Sequence, residues 1–121
     1  MRRLLLTMVA ILVSSSLFAF NRGFDDLFKD GTLRIDYTFM GNASQQFVAL
    51  REMSYTDNWY GRRINLNTVP LKGNGDLTLT DSASGAVIYK TSFSSLFQEW
   101  ITTPEALEVS KSFEFTLLVP M

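Results

Sequence analysis

Apolar and polar residues alternate most clearly in residues 32–40. In this stretch four apolar residues, Leu33, Ile35, Tyr37 and Phe39, are separated by polar ones. A period of two is typical of a β-strand that buries one face and exposes the other to water. Similar alternation predicts strands at residues 75–80, 86–93 and 113–119. The turn at residues 81–85 ends in a glycine and joins two of them as a hairpin.

Other segments of the chain are less regular. Residues 46–53 favour a strand, although Ala, Leu, Arg, Glu and Met also suit a helix. Residues 24–28 form either one helical turn or an extended lead-in. Thr103 followed by Pro104 predicts the start of a short helix, and residues 55–67 form a long polar and aromatic connection. The pattern predicts a mostly β, antiparallel sandwich-like domain with one short helix. The sandwich is alternatively incomplete, because the last strand runs almost to the final residue, whereas the ends of a domain are usually polar and exposed.

The first nineteen residues have the pattern of an export signal. A basic start, Arg2 and Arg3, precedes an apolar run of about ten residues and then small residues up to Ala19. We predict cleavage after Ala19, with Ser16 as the alternative, and a β domain over residues 20–121. A membrane anchor is disfavoured because a bilayer needs about 20 apolar residues. The expected location is the periplasm of a Gram-negative bacterium or the medium, with no membrane attachment after cleavage.

Composition excludes several kinds of chemistry. The sequence has no histidine and no cysteine, so the usual zinc ligands and the usual base of a serine or cysteine nucleophile are missing. We expect no cofactor and no metal. Six carboxylates remain for an acid/base pair, and their spacing selects no two of them: Asp25, Asp26, Asp36, Glu52, Asp57 and Glu99. Removing Arg2 and Arg3 from the 11 basic residues leaves 9 against 12 acidic ones, which argues against nucleic acid as a partner.

One segment has the composition of a recognition site. Trp59, Tyr60, Arg62 and Arg63 lie in the long connection, and aromatic and arginine side chains dominate binding hot spots. The alternative is structural: Trp59 closes one end of the core and Arg62 packs along it. Phe97 and Trp100 have the same ambiguity and are expected to anchor a buried corner.

The chain resembles a known family over nearly all of its length after the signal. The segments that carry the resemblance are FDD at 24–26, TLRIDY at 32–37, GNA at 41–43, WYGRR at 59–63, PLKGNG at 70–75, DSASGAVIY at 81–89, TSFSSLFQEW at 91–100 and KSFE at 111–114. They are similar to the N-terminal domain of secreted IgA-peptidase-type zinc metallopeptidases of Bacteroides-like bacteria, peptidase family sixty-four.

The resemblance implies a β-sandwich-like domain placed before a peptidase domain. It implies that zinc is bound by an H-E-x-x-H motif in that downstream or separate domain, and none of those ligands can be assigned here. We therefore expect a non-catalytic accessory domain for substrate engagement or domain placement. The alternatives are a free-standing module that binds glycan or protein outside the cytoplasm, and an inactive truncated remnant that self-associates through an open edge at residues 113–119.

Overall fold

A computed structural model of the chain describes residues 22–69 and 71–121. The predicted signal at residues 1–19 and the boundary at residue 20 lie outside the described residues. The elements, in chain order, are helix α1 (Phe24–Leu27), strands β1 (Gly31–Gly41), β2 (Gln46–Asp57), β3 (Gly75–Thr80) and β4 (Val87–Phe93), helix α2 (Leu96–Trp100), a 3₁₀ helix (Pro104–Leu107) and strand β5 (Lys111–Pro120).

The strands form two antiparallel sheets. β1 is the centre of a three-stranded sheet of order β2-β1-β5, and β3 pairs with β4 as a separate hairpin. Opposite residues of an antiparallel pair share a face. Ile35 lies opposite both Met53 and Leu117, and this face of β1 carries the apolar residues that the alternation predicted. The prediction of a mostly β, antiparallel fold is confirmed.

The hairpin packs on the apolar face of the three-stranded sheet. One buried cluster includes Ile35, Val119 and Tyr89, and therefore joins β1 and β5 to β4. Nearby, the Phe93 ring lies 5.1 Å from that of Phe115 and 6.3 Å from that of Phe39. These contacts make the domain two layers thick, which is the least that can bury an apolar sheet face.

The second strand is longer than the sequence predicts. We expected it to end near Met53 and the connection to begin at Tyr55, but β2 continues to Asp57. Cross-strand pairing explains the difference, because Tyr55 lies opposite Leu33 and Asp57 opposite Gly31. Pairing with the start of β1 thus extends β2 to Asp57, through Tyr55 and Thr56, which also suit a strand.

Helix α2 was not predicted, although its start has a recognisable signal. The buried Ser95 is the N-cap, and its hydroxyl oxygen accepts a hydrogen bond from the Gln98 backbone N–H at 3.3 Å. The Phe97 ring, fully buried, packs 6.1 Å from Phe39 and 6.0 Å from Trp100. The expected buried corner is therefore a short helix. The helix predicted at Pro104 starts where expected, as a 3₁₀ turn.

Candidate functional site

The connection between β2 and β3 begins with a tight change of direction at Asn58. Its φ of 69° lies in the left-handed region, which asparagine tolerates better than most residues. The Asn58 backbone N–H donates to the Asp30 carbonyl at 2.9 Å, and its own carbonyl accepts from the Thr32 hydroxyl at 2.6 Å. These bonds attach the beginning of the connection to the start of β1.

Trp59 is the part of the predicted recognition segment that enters the core. Only 7% of it is exposed, and its ring meets Tyr89 edge-on with centroids 6.1 Å apart. The indole N–H donates to the Arg62 carbonyl at 3.0 Å. A Cβ on Gly61 would lie 2.1 Å from Trp59 Cζ2, so the chain passes the indole closely enough to require glycine.

Arg62 packs against the same core residue. Its guanidinium carbon lies 4.8 Å from the centroid of Tyr89, within cation–π range. Nη1 donates to the Asn65 carbonyl. Nη2 is buried and has no hydrogen-bond partner among residues 22–69 and 71–121. Arg62 thus contacts its own segment, through Asn65, and the hairpin, through Tyr89.

Asp30 links Trp59 and Arg63 through hydrogen bonds to its carboxylate. Its Oδ1 accepts the Trp59 backbone N–H at 2.8 Å and Arg63 Nη2 at 2.7 Å. The Trp59 hydrogen bond, followed by that of Arg63, lowers the pKa of the Asp30 carboxyl. Arg63 also donates to the Trp59 carbonyl at 3.0 Å and lies 4.6 Å above the Phe24 ring. We call Asp30, Trp59, Arg62 and Arg63 the anchor.

Tyr60 differs from its neighbours in the segment. It is 87% exposed, whereas Trp59 beside it is buried. Sequence reasoning missed two further exposed apolar residues of the same connection, Ile64 and Leu71. No pattern in the sequence separates them from Leu66 of the same connection, which lies between two asparagines and is buried. The connection thus combines the anchor, which is held by hydrogen bonds, with large side chains that are exposed to solvent.

The carboxylates considered for acid/base chemistry are mostly dispersed, but the fold brings two of them together. Asp36 and Glu52 lie opposite each other on β1 and β2, on the polar face of the sheet. Asp36 pairs with Arg34 at 3.1 Å. The hydrogen bond from the Thr116 hydroxyl is the main cause that lowers the pKa of Asp36, and Arg34 adds to it. A lowered pKa keeps the group ionised, whereas a general acid needs a raised one.

Two other kinds of site are absent from the described residues. Within residues 22–69 and 71–121, no three histidine, cysteine or carboxylate side chains come close enough to share a metal ion. Nor does any helix in these ranges have the length and apolar character needed to cross a membrane.

Comparison with family models identifies a match for this chain. A family model described as Peptidase M64 N-terminus covers residues 23–121, which include every helix and strand that the structure describes in residues 22–69 and 71–121. No curated protein matches the chain.

Proposed function

Because the chain belongs to the Peptidase M64 N-terminus family, we propose that it is a non-catalytic accessory domain. Its role in this proposal is to bind polypeptide, either a substrate or the family's peptidase domain, and so to contribute substrate engagement or domain placement. The observation that carries the proposal is the exposed Tyr60, held next to a residue that is buried in the core.

The proposal that the domain is non-catalytic rests on its residue types and their partners. The sequence contains neither histidine nor cysteine. Asp30, Asp36, Asp81 and Glu105 all have lowered pKa values, each caused mainly by a hydrogen bond that favours the charged form. Carboxylates held in this way serve as hydrogen-bond acceptors and ion-pair partners. In this proposal, the zinc chemistry that the resemblance implies belongs to another domain.

The proposal that the domain binds polypeptide rests on the rigidity of the segment that carries Tyr60. A side chain on a fixed backbone loses less conformational entropy on binding than one on a loose loop. Asp30 holds the backbone N–H of Trp59, and Arg63 holds the carbonyl of the same residue. Tyrosine is also among the residues that most often dominate interfaces. With 9 basic and 12 acidic residues after Arg3, we favour polypeptide over nucleic acid.

Binding measurements on two matched variants test this role. The purified chain is immobilised and exposed separately to the peptidase domain of a family member and to immunoglobulin A, a test protein chosen from the name of the family that the chain resembles. Tyr60→Ala should weaken binding about tenfold or more, with a melting temperature close to that of the wild type. Leu107→Ala removes another largely exposed apolar side chain, near the Ala43 end of the sheet, and should change nothing. Equal binding by wild type and Tyr60→Ala would refute the role of this segment.

A second candidate function is glycan binding by a free-standing module. The observation that favours it is again the exposed Tyr60 ring, since sugars stack on accessible aromatic faces. Measuring the binding of the immobilised chain to soluble oligosaccharides, in addition to the two proteins, separates the two functions. Tyr60-dependent binding to a glycan array, with no binding to either protein, would favour the glycan and contradict the polypeptide.

We also propose that the domain acts outside the cytoplasm of a Gram-negative, Bacteroides-like bacterium. The support for export is the sequence pattern of residues 1–19, and the support for the type of bacterium is the family resemblance. Expression of the full chain in a Gram-negative host should yield a periplasmic product whose first residue is Phe20. A product that keeps Met1 and stays in the cytoplasm would contradict export.

A further inference from the structure

Strand β2 forms one edge of the three-stranded sheet. Within the described ranges its only strand partner is β1, on one side. The strand is 12 residues long and almost wholly exposed. Five large apolar side chains are between 47% and 58% exposed: Phe47, Val48, Leu50, Met53 and Tyr55. A long apolar edge strand of this kind is a site for pairing with another chain.

Four of these residues point to the core side of the sheet without being covered. Val48 lies opposite Phe39, Leu50 opposite Tyr37, Met53 opposite Ile35 and Tyr55 opposite Leu33. The hairpin packs on β1 and β5 and leaves β2 uncovered, so Val48 borders an open groove that Leu77 of β3 lines on the other side. The apolar surface of β2 thus continues the core face beyond the hairpin.

A β-bulge lies at the middle of the strand. Asp36 pairs with Glu52 and Tyr37 with Leu50, which leaves Arg51 as the extra residue. Arg51 reaches Glu114 on the polar face at 3.0 Å, and Glu52 lies on that face opposite Asp36. The alternation of faces therefore reverses at residues 51 and 52. Before the bulge the core-side residues are 48 and 50, and after it they are 53 and 55.

This reversal makes the strand complementary to itself. We propose that β2 pairs antiparallel with β2 of a second copy of the chain, about a twofold axis between Arg51 and Glu52. In this register Leu50 of each copy lies opposite Met53 of the other, Val48 opposite Tyr55, and Arg51 opposite Glu52. Every pair shares a face, and the two central pairs have opposite charge.

Neighbouring registers lose this match. A slip by one residue turns the apolar side chains of one copy toward the polar face of the other. A slip by two places Arg51 opposite Leu50, or Glu52 opposite Met53. The proposed contact is therefore isologous and closed, and it extends the two sheets into one of six strands in the order β5-β1-β2-β2-β1-β5.

The other edge of the sheet is a weaker candidate. Residues 113–119 belong to β5, the strand for which the remnant hypothesis expected self-association. Their core-side residues are already covered: Leu117 and Val119 are buried, and Phe113 packs 5.9 Å from Phe97 of helix α2. β5 thus exposes less apolar surface on its core side than β2 does.

Charge reversal across the axis tests the proposal. Analytical ultracentrifugation of the purified chain from about 1 to 300 μM should show a reversible monomer–dimer equilibrium. Arg51→Glu alone or Glu52→Arg alone should weaken dimerisation about 10- to 100-fold, since each makes both central pairs repulsive. An equimolar mixture of the two variants, and the double variant Arg51→Glu/Glu52→Arg, should both dimerise as the wild type does, because opposite charges face each other again.

The mixture and the double variant distinguish a loss of pairing from a loss of folding, because an unfolded variant would not regain the dimer when the opposite charge is restored. Arg51 and Glu114 are both exposed, so breaking their ion pair should cost at most about 1 kcal/mol, and circular dichroism should show a folded sheet in every variant. Ser112→Glu adds a charge to β5 as the control and should leave the dimer intact. A chain that stays monomeric at 300 μM, single variants that dimerise normally, a mixture that stays monomeric, or dissociation by Ser112→Glu would each overturn the proposal.

Discussion

Replacing Trp59 with alanine tests whether the anchor belongs to the core or to a binding surface. The change removes an indole that is 7% exposed, together with its edge-on contact to Tyr89. It also removes the hydrogen bond from the indole N–H to the Arg62 carbonyl. Arg62 packs on the same Tyr89 ring, so it loses a neighbour as well.

The magnitude follows from the burial of the side chain. Truncating a buried Phe or Trp to Ala typically costs about 3–5 kcal/mol, through lost transfer free energy and the cavity left behind. We expect about 4 kcal/mol for Trp59→Ala. For a domain of this size 1 kcal/mol shifts the melting temperature by about 4–8 °C, so the variant should melt roughly 16–32 °C lower. Such a loss is a large part of the free energy of unfolding of a typical domain.

Urea unfolding followed by far-UV circular dichroism measures this loss without using the removed indole as the probe. Tyr60→Ala is the matched control and should change the free energy of unfolding by less than about 0.5 kcal/mol. Gly61→Ala should also destabilise the domain, because the new Cβ would overlap Trp59 at 2.1 Å. A Trp59→Ala variant that unfolds within 1 kcal/mol of the wild type would refute the assignment of Trp59 to the core.

Three further predictions concern the stability of the fold, at Asp30 of the anchor and at two positions outside it. The hydrogen bond from Trp59 is the larger cause, and that from Arg63 the next, that lowers the pKa of the Asp30 carboxyl. The ionised carboxyl therefore stabilises the fold fully above the unfolded pKa of about 3.9, and this stabilisation is lost as the pH falls through the lower folded pKa. Asp30→Asn should therefore destabilise the domain more at pH 7 than at a pH below the unfolded value, and equal urea midpoint shifts at both pH values would contradict this. Ser95→Ala removes the N-cap of α2 and should cost about 1 kcal/mol in the same urea titration, whereas Ser95→Thr should keep most of the stability. Gly85 has a φ of +72° with open space around it. Gly85→Ala should therefore cost about 1–2 kcal/mol from backbone strain alone, and Gly85→Asn should cost less. An unchanged thermal midpoint in Gly85→Ala would contradict this, because it would show that the turn can relax.

The strands that sequence reasoning predicted best are those with their own regular pattern. β1 alternates from Leu33 to Phe39, and the β3–β4 hairpin has a glycine where the turn needs positive φ. Both signals are local, since they depend on residues that neighbour one another along the chain. Composition alone also distinguishes residues 59–63 from the rest of the chain, because aromatic and arginine residues are concentrated there.

The recognition and core interpretations of that segment apply to different residues, and the tertiary structure separates them. Nothing in the sequence distinguishes Trp59 from Tyr60, which are adjacent aromatic residues. The difference comes from Asp30 and Tyr89, which lie far away in the sequence and close in space. Burial of Trp59 therefore depends on how β1 and β4 are placed by the whole fold.

By itself the sequence determined the fold class, the family resemblance and the exclusion of histidine and cysteine chemistry, because each depends on residue type and local periodicity. Only the tertiary structure decided where β2 ends, which side chains of the connection stay exposed, and where the alternation of β2 reverses. The last of these depends on one extra residue, Arg51, opposite a regular strand. A bulge is a property of the pairing between two strands, and the sequence of one strand does not contain it.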